Sequence, residues 1–487
     1  PESYALTLEE AQSTSLGSVI APEVELHPDL TGVLPLIQAS DAFAARALLS
    51  QAAEKTLDIQ YYIWRRDTTG KLLLSALYHA AENGVRIRLL LDDNGTAGLD
   101  DYLLLLNRHP NIEVRLFNPF NLRKTKWLNF LTDFSRLNRR MHNKAFIADN
   151  QVAIIGGRNI GNEYFGAKAD FLFNDLDVLA VGKAVQQVSY EFDRYWSSVS
   201  AYPLDSVVAD RLDATLENFV SEMAQLERSQ EAVQYINDIK KTHLINQLLN
   251  DELKFEWAHT RMVSDDPAKT LGQASKENMV GHQLNQIIGH PSRHIMLITP
   301  YFVPTKQGAQ ELMTLAEKGI EIFILTNSLE ATDVAAVHSG YAKYRKDLLK
   351  SGIQLYEMKR FYSVSEAHKK PGVLGSSAGS LHAKTFAIDS ERVFVGSFNF
   401  DPRSANLNTE LGFVIESAKM AQQIEQAFKQ TIPLTSYKVE LDEDGHLIWR
   451  EFDEKGEKEV HYVEPNAGWF KRVQVLLFSF LPIEPLL

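Results

Sequence analysis

Apolar runs rich in β-branched residues alternate along this chain with segments whose apolar positions recur every three or four residues, an order that predicts strand, helix, strand. The stretch "LDIQYYIW…AENGVRIRLLLDD", from Leu57 to Asp93, reads as a strand, an amphipathic helix, a glycine turn and a second strand. "IMLITPYFVP…AEKGIEIFILTNS", from Ile295 to Ser328, repeats that order. Both helices close on Ala-Glu-x-Gly, so Gly84 and Gly319 stand where a left-handed residue ends a helix. A third strand follows in each half, "IEVRLFN" and "IQLYEMK". Each is a βα unit feeding a parallel strand, and the expected fold class is α/β with two similar lobes.

The same patterning divides the chain. Residues 1–29 form an N-terminal extension, 30–200 the first lobe, 201–254 a polar helical connector, 255–435 the second lobe and 436–487 a tail. Within the tail, "YKVELDEDGHLIWREFDEKGEKEVHYVE" alternates enough for a small hairpin around "EDG". "WFKRVQVLLFSFLPIEPLL" spaces Trp469, Val473, Leu476, Leu477 and Phe480 along one face of a short helix ended by Pro482, with Lys471 and Arg472 beside it. That helix suits a membrane interface or a terminal element packed on the body. The apolar run Val473–Leu481 is far shorter than the roughly 20 residues of a spanning helix, so no transmembrane helix is expected.

The repeat extends to chemistry. "MHNKAFIAD" (Met141–Asp149) and "LHAKTFAID" (Leu381–Asp389) both carry His-x-Lys-x-x-x-x-Asp. In a strand, residues two apart share a face, so His142 and Lys144 present one imidazole and one ammonium together, as do His382 and Lys384. Hairpins with two-residue loops at "NQ" and "SE" would set Asn159 opposite His142 and Gly157 opposite Lys144, and Asn399 opposite His382 and Ser397 opposite Lys384. Asp175 and Glu410, each in the apolar stretch beyond its hairpin, are expected to accept the distal N–H of a histidine and fix its tautomer. Two such sets can break a phosphodiester. One neutral imidazole attacks phosphorus, a protonated one serves the departing alkoxide, and the lysines and asparagines surround the non-bridging oxygens. Asp149 and Asp389 join the catalytic candidates, although a residue opening a turn can serve the turn alone. The spacing lacks the clusters of zinc or magnesium sites, and no metal or other cofactor is expected.

Composition narrows the partners. With 63 acidic against 50 basic side chains the 487-residue chain carries a net charge of −13, which opposes nucleic acid as a partner. Hydrophobic content of 45% is that of a folded globular protein, and the absence of cysteine excludes disulfides and thiolate chemistry. The chain opens on Pro1 rather than Met, which leaves room for a leader or lipid anchor ahead of it.

"HNKAFIAD" with "GGRN", and "HAKTFAID" with "GSFN", resemble the duplicated motifs of the phospholipase D superfamily. Within it the likeness is to the bacterial cardiolipin synthase C branch. It runs through "IQYYIW", "LLLDDN", "DFSRLNRRMHNK", "GGRNIG", "SDDPAK", "ILTNSL", "GSFNFDPRSANLNTE" and "LPIEPLL". The resemblance implies two lobes, each a mixed β-sheet flanked by helices, with the active site at the lobe interface and one chain sufficient to form it. It further implies a phosphohistidine intermediate without a metal, His142 as nucleophile and His382 as acid. The reaction implied is phosphatidyl transfer from a phospholipid such as phosphatidylglycerol, phosphatidylethanolamine or phosphatidylcholine, to a lipid hydroxyl (cardiolipin synthesis) or to water. A nuclease-type phosphodiesterase and a non-catalytic lipid-binding protein are the alternatives. The expected location is bacterial, peripheral at the inner membrane or periplasmic or secreted.

Ahead of His142, "FNPFNLRKTKWLNFLTDFSRLNRRM" interleaves aromatic and aliphatic residues with Arg123, Lys124, Lys126, Arg136, Arg139 and Arg140, a mixture suited to an anionic headgroup. Trp127, Arg139, Arg140 and Tyr301 are the candidate substrate contacts.

Overall fold

Helix Thr68–Glu82 shows how the repeated unit is built. Asp67 caps it by accepting from the Gly70 N–H, and Leu73, Leu77 and Ala81 bury its inner face. Gly84 ends it at φ +90°, its N–H donating to the Ala81 carbonyl at 2.9 Å; Gly319, also at φ +90°, repeats this on Ala316 at the end of helix Thr305–Glu317. In a computed structural model of the chain, residues 3–123, 125–165, 175–209, 215–250, 252–332, 334–360, 380–453, 455–479 and 484–487 are described.

They fall into two compact units. The first takes the described residues up to Met279, Asp175 aside, together with Leu407–Phe413. Its strands are β1 (Thr31–Leu36), β2 (Thr56–Ile63), β3 (Arg86–Gly95), β4 (Ile112–Phe117), β5 (Ala145–Ala148), β6 (Val152–Gly156), β7 (Asp177–Gly182), β8 (Ala201–Pro203) and β9 (Glu256–Ala258), in the order β8-β4-β3-β2-β5-β6-β7-β1-β9. β2, β3 and β4 are parallel and the other described pairings antiparallel. β10 (Thr260–Ser264) lies beside the segment Leu411–Ile415. The helical stretch expected as a connector packs on this unit: Phe219 sits edge-on to Tyr78 and Tyr102, and the Leu244 N–H donates to Asp41 at 3.0 Å.

The second unit takes Asp175 and the described residues of 280–406 and 414–487. Besides β10, the strands of the second sheet are β11 (His294–Ile298), β12 (Glu321–Asn327), β13 (Gln354–Met358), β14 (Thr385–Ile388), β15 (Arg392–Gly396), β16 (Leu411–Ile415), β17 (Ser436–Leu441), β18 (Leu447–Asp453) and β19 (Gly456–His461), in the order β10-β16-β15-β14-β11-β12-β13-β17-β18-β19. The run β4-β3-β2-β5-β6-β7 of the first sheet recurs here as β13-β12-β11-β14-β15-β16. In the tail, β17 and β18 form an antiparallel hairpin around "EDG", and β17 also pairs antiparallel with β13, so the hairpin extends this sheet.

The hairpin register differs from expectation by one residue. Ala148 pairs with Val152 and Ile388 with Arg392, so three residues, not two, lie between the last paired positions. Asp149 and Asn150, and Asp389 and Ser390, all have φ between 49° and 56°, in the left-handed region. The shift removes the ladder positions that would have set Asn159 and Asn399 across from their histidines.

Candidate active site

In the first unit His142 follows a stretch of backbone pinned from two sides. Its N–H donates to the Thr409 carbonyl at 2.9 Å, and the Thr409 N–H donates to the Arg140 carbonyl at 2.9 Å. Asp92, at the end of the parallel strand β3, accepts from the Met141 N–H at 2.8 Å and from Arg140 Nε at 2.9 Å. With backbone and arginine fixed, the imidazole is aimed. Its Nδ1 lies 2.9 Å from Oε2 of Glu410, a fully buried carboxylate. A carboxylate there selects the tautomer with hydrogen on Nδ1 and makes Nε2 the basic, nucleophilic nitrogen.

Glu410 is itself clasped. Its N–H donates to Oδ2 of Asp265 at 2.8 Å, its carbonyl accepts from the Asp265 N–H at 2.9 Å, and Lys269 Nζ donates to the same Oδ2 at 2.8 Å. Asp265 and Lys269 are both buried. The Tyr195 hydroxyl, its pKa pushed well above the ordinary value by burial, donates to the Asp265 carbonyl at 2.7 Å. Lys144 donates to the His142 carbonyl at 2.5 Å and stands 5.6 Å from the centre of the Tyr62 ring, which meets the His142 ring edge-on at 5.0 Å.

The second unit carries the corresponding set. His382 Nδ1 lies 2.5 Å from Oδ2 of Asp175, and Lys384 Nζ donates to the His382 carbonyl at 2.6 Å. Here Asn327, the last residue of β12, clasps the backbone beside the histidine: its side chain accepts from the Leu381 N–H at 2.9 Å and donates to the Leu381 carbonyl at 3.0 Å. The His382 side chain is 27% exposed against 10% for His142. The two imidazoles therefore have unequal access to solvent.

Asp175 and Glu410 each engage the histidine from the opposite half of the sequence. Asp149 and Asp389, counted among the catalytic candidates, are placed otherwise. Asp149 accepts from the N–H groups of Glu54, Lys55 and Thr56, and Asp389 from those of Ser292, Arg293 and His294 and from the Ser292 hydroxyl. Each carboxylate is consumed by the backbone leading into β2 or β11, so these residues position the fold. Asn159 accepts from the Ile63 N–H and donates to the Tyr164 hydroxyl at 3.1 Å; Gly157 donates its N–H to the Leu176 carbonyl; Ser397 is fully buried. Asn399 is buried, and among the described residues its Oδ1 has no hydrogen-bond partner.

The basic segment ahead of His142 also differs from expectation. Arg140 is buried against Asp92 and so does not present a headgroup site, while Arg123 and Lys126 pair with Asp93. Burial alone would raise the Asp93 carboxyl, but these cations hold it below its usual value. Arg139 donates to the Lys269 carbonyl at 3.1 Å, and Tyr301 is half-buried, its carbonyl accepting from the Thr299 hydroxyl. Lys124 and the side chain of Trp127 lie outside the described residues.

Sequence reasoning gave no role to Tyr62, Asp92, Asp265, Lys269 or Asn327, although the stretches "IQYYIW", "LLLDDN", "SDDPAK" and "ILTNSL" contain them. The repeat gives no signal for Tyr62, because the strand registers align it with Pro300 in the second half. Among the described residues, His338, Glu357 and Glu464 bring three metal-ligating atoms together, but Arg345 ion-pairs with both carboxylates there.

A repeated mixed sheet, with a histidine and a lysine two residues on in each copy and each histidine on a buried carboxylate from the other copy, defines a duplicated phosphodiester-transfer protein. The comparisons agree. Residues 46–196 and 284–432 match the family described as "Cardiolipin synthase, PLD-like domain", and the chain belongs to that phospholipase D-like family. It is 48% identical over 473 residues to cardiolipin synthase C of Escherichia coli (strain K12), covering 97% of this chain and 99% of that protein. It is 26% identical over 392 residues to the major cardiolipin synthase ClsA of Bacillus subtilis (strain 168), covering 80% and 66%. Among solved structures, the phosphatidylserine synthase of Haemophilus influenzae Rd KW20 superposes with a TM-score of 0.55 at 15% identity, covering 86% of this chain and 91% of that one, a likeness of fold.

Proposed function

We propose that this protein is a phosphatidyltransferase acting on membrane phospholipids, with cardiolipin formation as its leading reaction. The observation that carries the reading is the twofold occurrence of a histidine whose Nδ1 engages a buried carboxylate, with a lysine two residues on. Likeness to a full-length cardiolipin synthase supports the substrate class.

His142 serves as the nucleophile. Its Nε2 lone pair forms the P–N bond as the P–O bond to the departing glycerol breaks, and His382, protonated, gives its proton to that alkoxide. Neutral His382 then takes the proton of the incoming hydroxyl, whose oxygen bonds phosphorus as the P–N bond breaks. The stronger enclosure of His142 suits a phosphohistidine kept from water, and the more exposed His382 suits proton exchange. Lys144 and Lys384 counter the charge that gathers on the non-bridging oxygens. A lipid hydroxyl as acceptor yields cardiolipin; water yields phosphatidic acid. The enzyme works at a membrane surface, and no described helix is long and apolar enough to cross one.

Labelled phosphatidylglycerol, with and without phosphatidylethanolamine, tests this in the intact protein and in His142→Ala and His382→Ala. The expected result is labelled cardiolipin from the intact protein and a loss of at least about 10³-fold in each variant. Phosphatidic acid alone would replace transfer by hydrolysis, and a variant that kept full activity would overturn the two-histidine mechanism.

A further inference from the structure

Helix Trp469–Ser479 is inverted relative to an ordinary amphipathic helix on a globular surface. Trp469, Phe470, Val473, Leu476 and Leu477 form one stripe at positions i, i+1, i+4, i+7 and i+8, and all five are between 40% and 75% exposed. The opposite face is the one attached. Val475 is buried against Leu329 and Ala467, Lys471 Nζ donates to the Thr332 carbonyl at 2.6 Å, and Arg472 donates to the Glu464 carbonyl at 2.7 Å. Beyond the helix the chain end is tied down as well, the Arg403 N–H donating to the Leu487 carbonyl at 2.7 Å. The segment is fixed in place with its apolar side outward, an arrangement that costs solvation unless something covers it.

Charge says what covers it. The whole chain carries −13, yet Trp469–Ser479 contains Lys471 and Arg472 and no acid. An outward apolar, aromatic-rich stripe on a helix that carries two cations behind it and no acid is complementary to an anionic lipid surface, where Trp and Phe enter the headgroup region. The second unit links this helix to catalysis: it packs on Ala335–Ala342, in the segment that follows Asn327, the residue clasping Leu381 beside His382.

We infer that Trp469–Ser479 is the element that seats the enzyme on anionic phospholipid bilayers. The inference deepens the phosphatidyltransferase reading and rests on it for the identity of the surface.

The experiment compares the full chain with a Leu476→Glu/Leu477→Glu variant by sedimentation with vesicles of phosphatidylglycerol and phosphatidylcholine. Turnover of vesicle phosphatidylglycerol and of the soluble diester bis(4-nitrophenyl) phosphate is read in parallel. Vesicle binding and vesicle turnover should each fall at least about tenfold, with soluble-diester hydrolysis unchanged. Unchanged vesicle binding would overturn the inference, as would equal loss of all three readouts. A dimer of the full chain that the variant dissolves, with vesicle binding intact, would make the stripe a contact between copies and also overturn it. Failure of the functional reading looks different: soluble-diester hydrolysis and vesicle binding persist while no phospholipid is turned over.

Discussion

Lys269 touches no reacting group, yet replacing it should be among the most damaging single changes in the first unit. Its ammonium sits 2.8 Å from Oδ2 of Asp265, and both side chains are essentially inaccessible to solvent. Lys269→Met removes the cation and strands a buried carboxylate, which costs about 3–5 kcal/mol. Asp265→Asn strands the ammonium at a similar cost, although the amide oxygen can still accept from the Glu410 N–H. The double variant removes both charges and keeps that acceptor. It should recover to within about 2 kcal/mol of the parent, which with single costs of about 3–5 kcal/mol each means a coupling of at least about 4 kcal/mol in a double-mutant cycle. Urea unfolding followed by circular dichroism measures this, and turnover of labelled phosphatidylglycerol accompanies it. Because the backbone clasp on Glu410 survives in the double variant, its kcat should stay within about threefold of the parent. Single variants costing less than about 1 kcal/mol, or a double variant as damaged as the sum of the two, would refute the buried pair as the support behind Glu410.

Asp389 makes a pH-dependent contribution. Burial pushes its carboxyl up, but the N–H groups of Ser292, Arg293 and His294 and the Ser292 hydroxyl outweigh burial and hold it below its ordinary value. Its stabilisation is therefore complete above the unfolded value of about 3.9 and lost as pH falls through the depressed folded value. Asp389→Asn should lower the urea midpoint at pH 7 and flatten the acid limb of the stability profile; an unchanged limb would contradict the backbone-clamp role. Tyr62→Ala should lower kcat by about tenfold through lost contact with His142 and Lys144, while Tyr62→Phe, which keeps the ring, should stay within about threefold in the same turnover assay. Asp92→Ala should cost about 3–5 kcal/mol in urea unfolding, because it leaves the Arg140 guanidinium buried without its carboxylate.

The strand order was legible because apolar periodicity is local: the βα units around Gly84 and Gly319 could each be read within a window of some 35 residues. The hairpin register was not, because Asp149-Asn150 and Asp389-Ser390 adopt paired left-handed conformations without a glycine. Their stability comes from carboxylate contacts with residues 54–56 and 292–294, distant in sequence. The basic run ahead of His142 misled for a similar reason. Arg123, Lys126 and Arg140 look like a cationic surface until Asp92 and Asp93 are found beside them. Charge in sequence says nothing of where the counter-charge folds.

The carboxylates expose what duplication alone leaves out. Asp175 and Glu410 stand just before β7 and β16, equivalent positions in the two repeats, so the repeat marks both as candidates. Their partners are exchanged: Glu410 serves His142 and Asp175 serves His382, across 268 and 207 residues of sequence. Neither half of the chain carries a complete histidine–carboxylate pair of its own. Tautomer selection at each histidine thus depends on a segment contributed by the other repeat, which couples formation of each half-site to folding of the whole chain. The support behind the carboxylates differs as well. Glu410 is held through the Asp265–Lys269 pair, and the His382 set has Asn327 holding its neighbouring backbone. Divergence of this surrounding shell, with the His-x-Lys motif kept in both copies, gives the two imidazoles different surroundings, which the proposed division into nucleophile and acid requires.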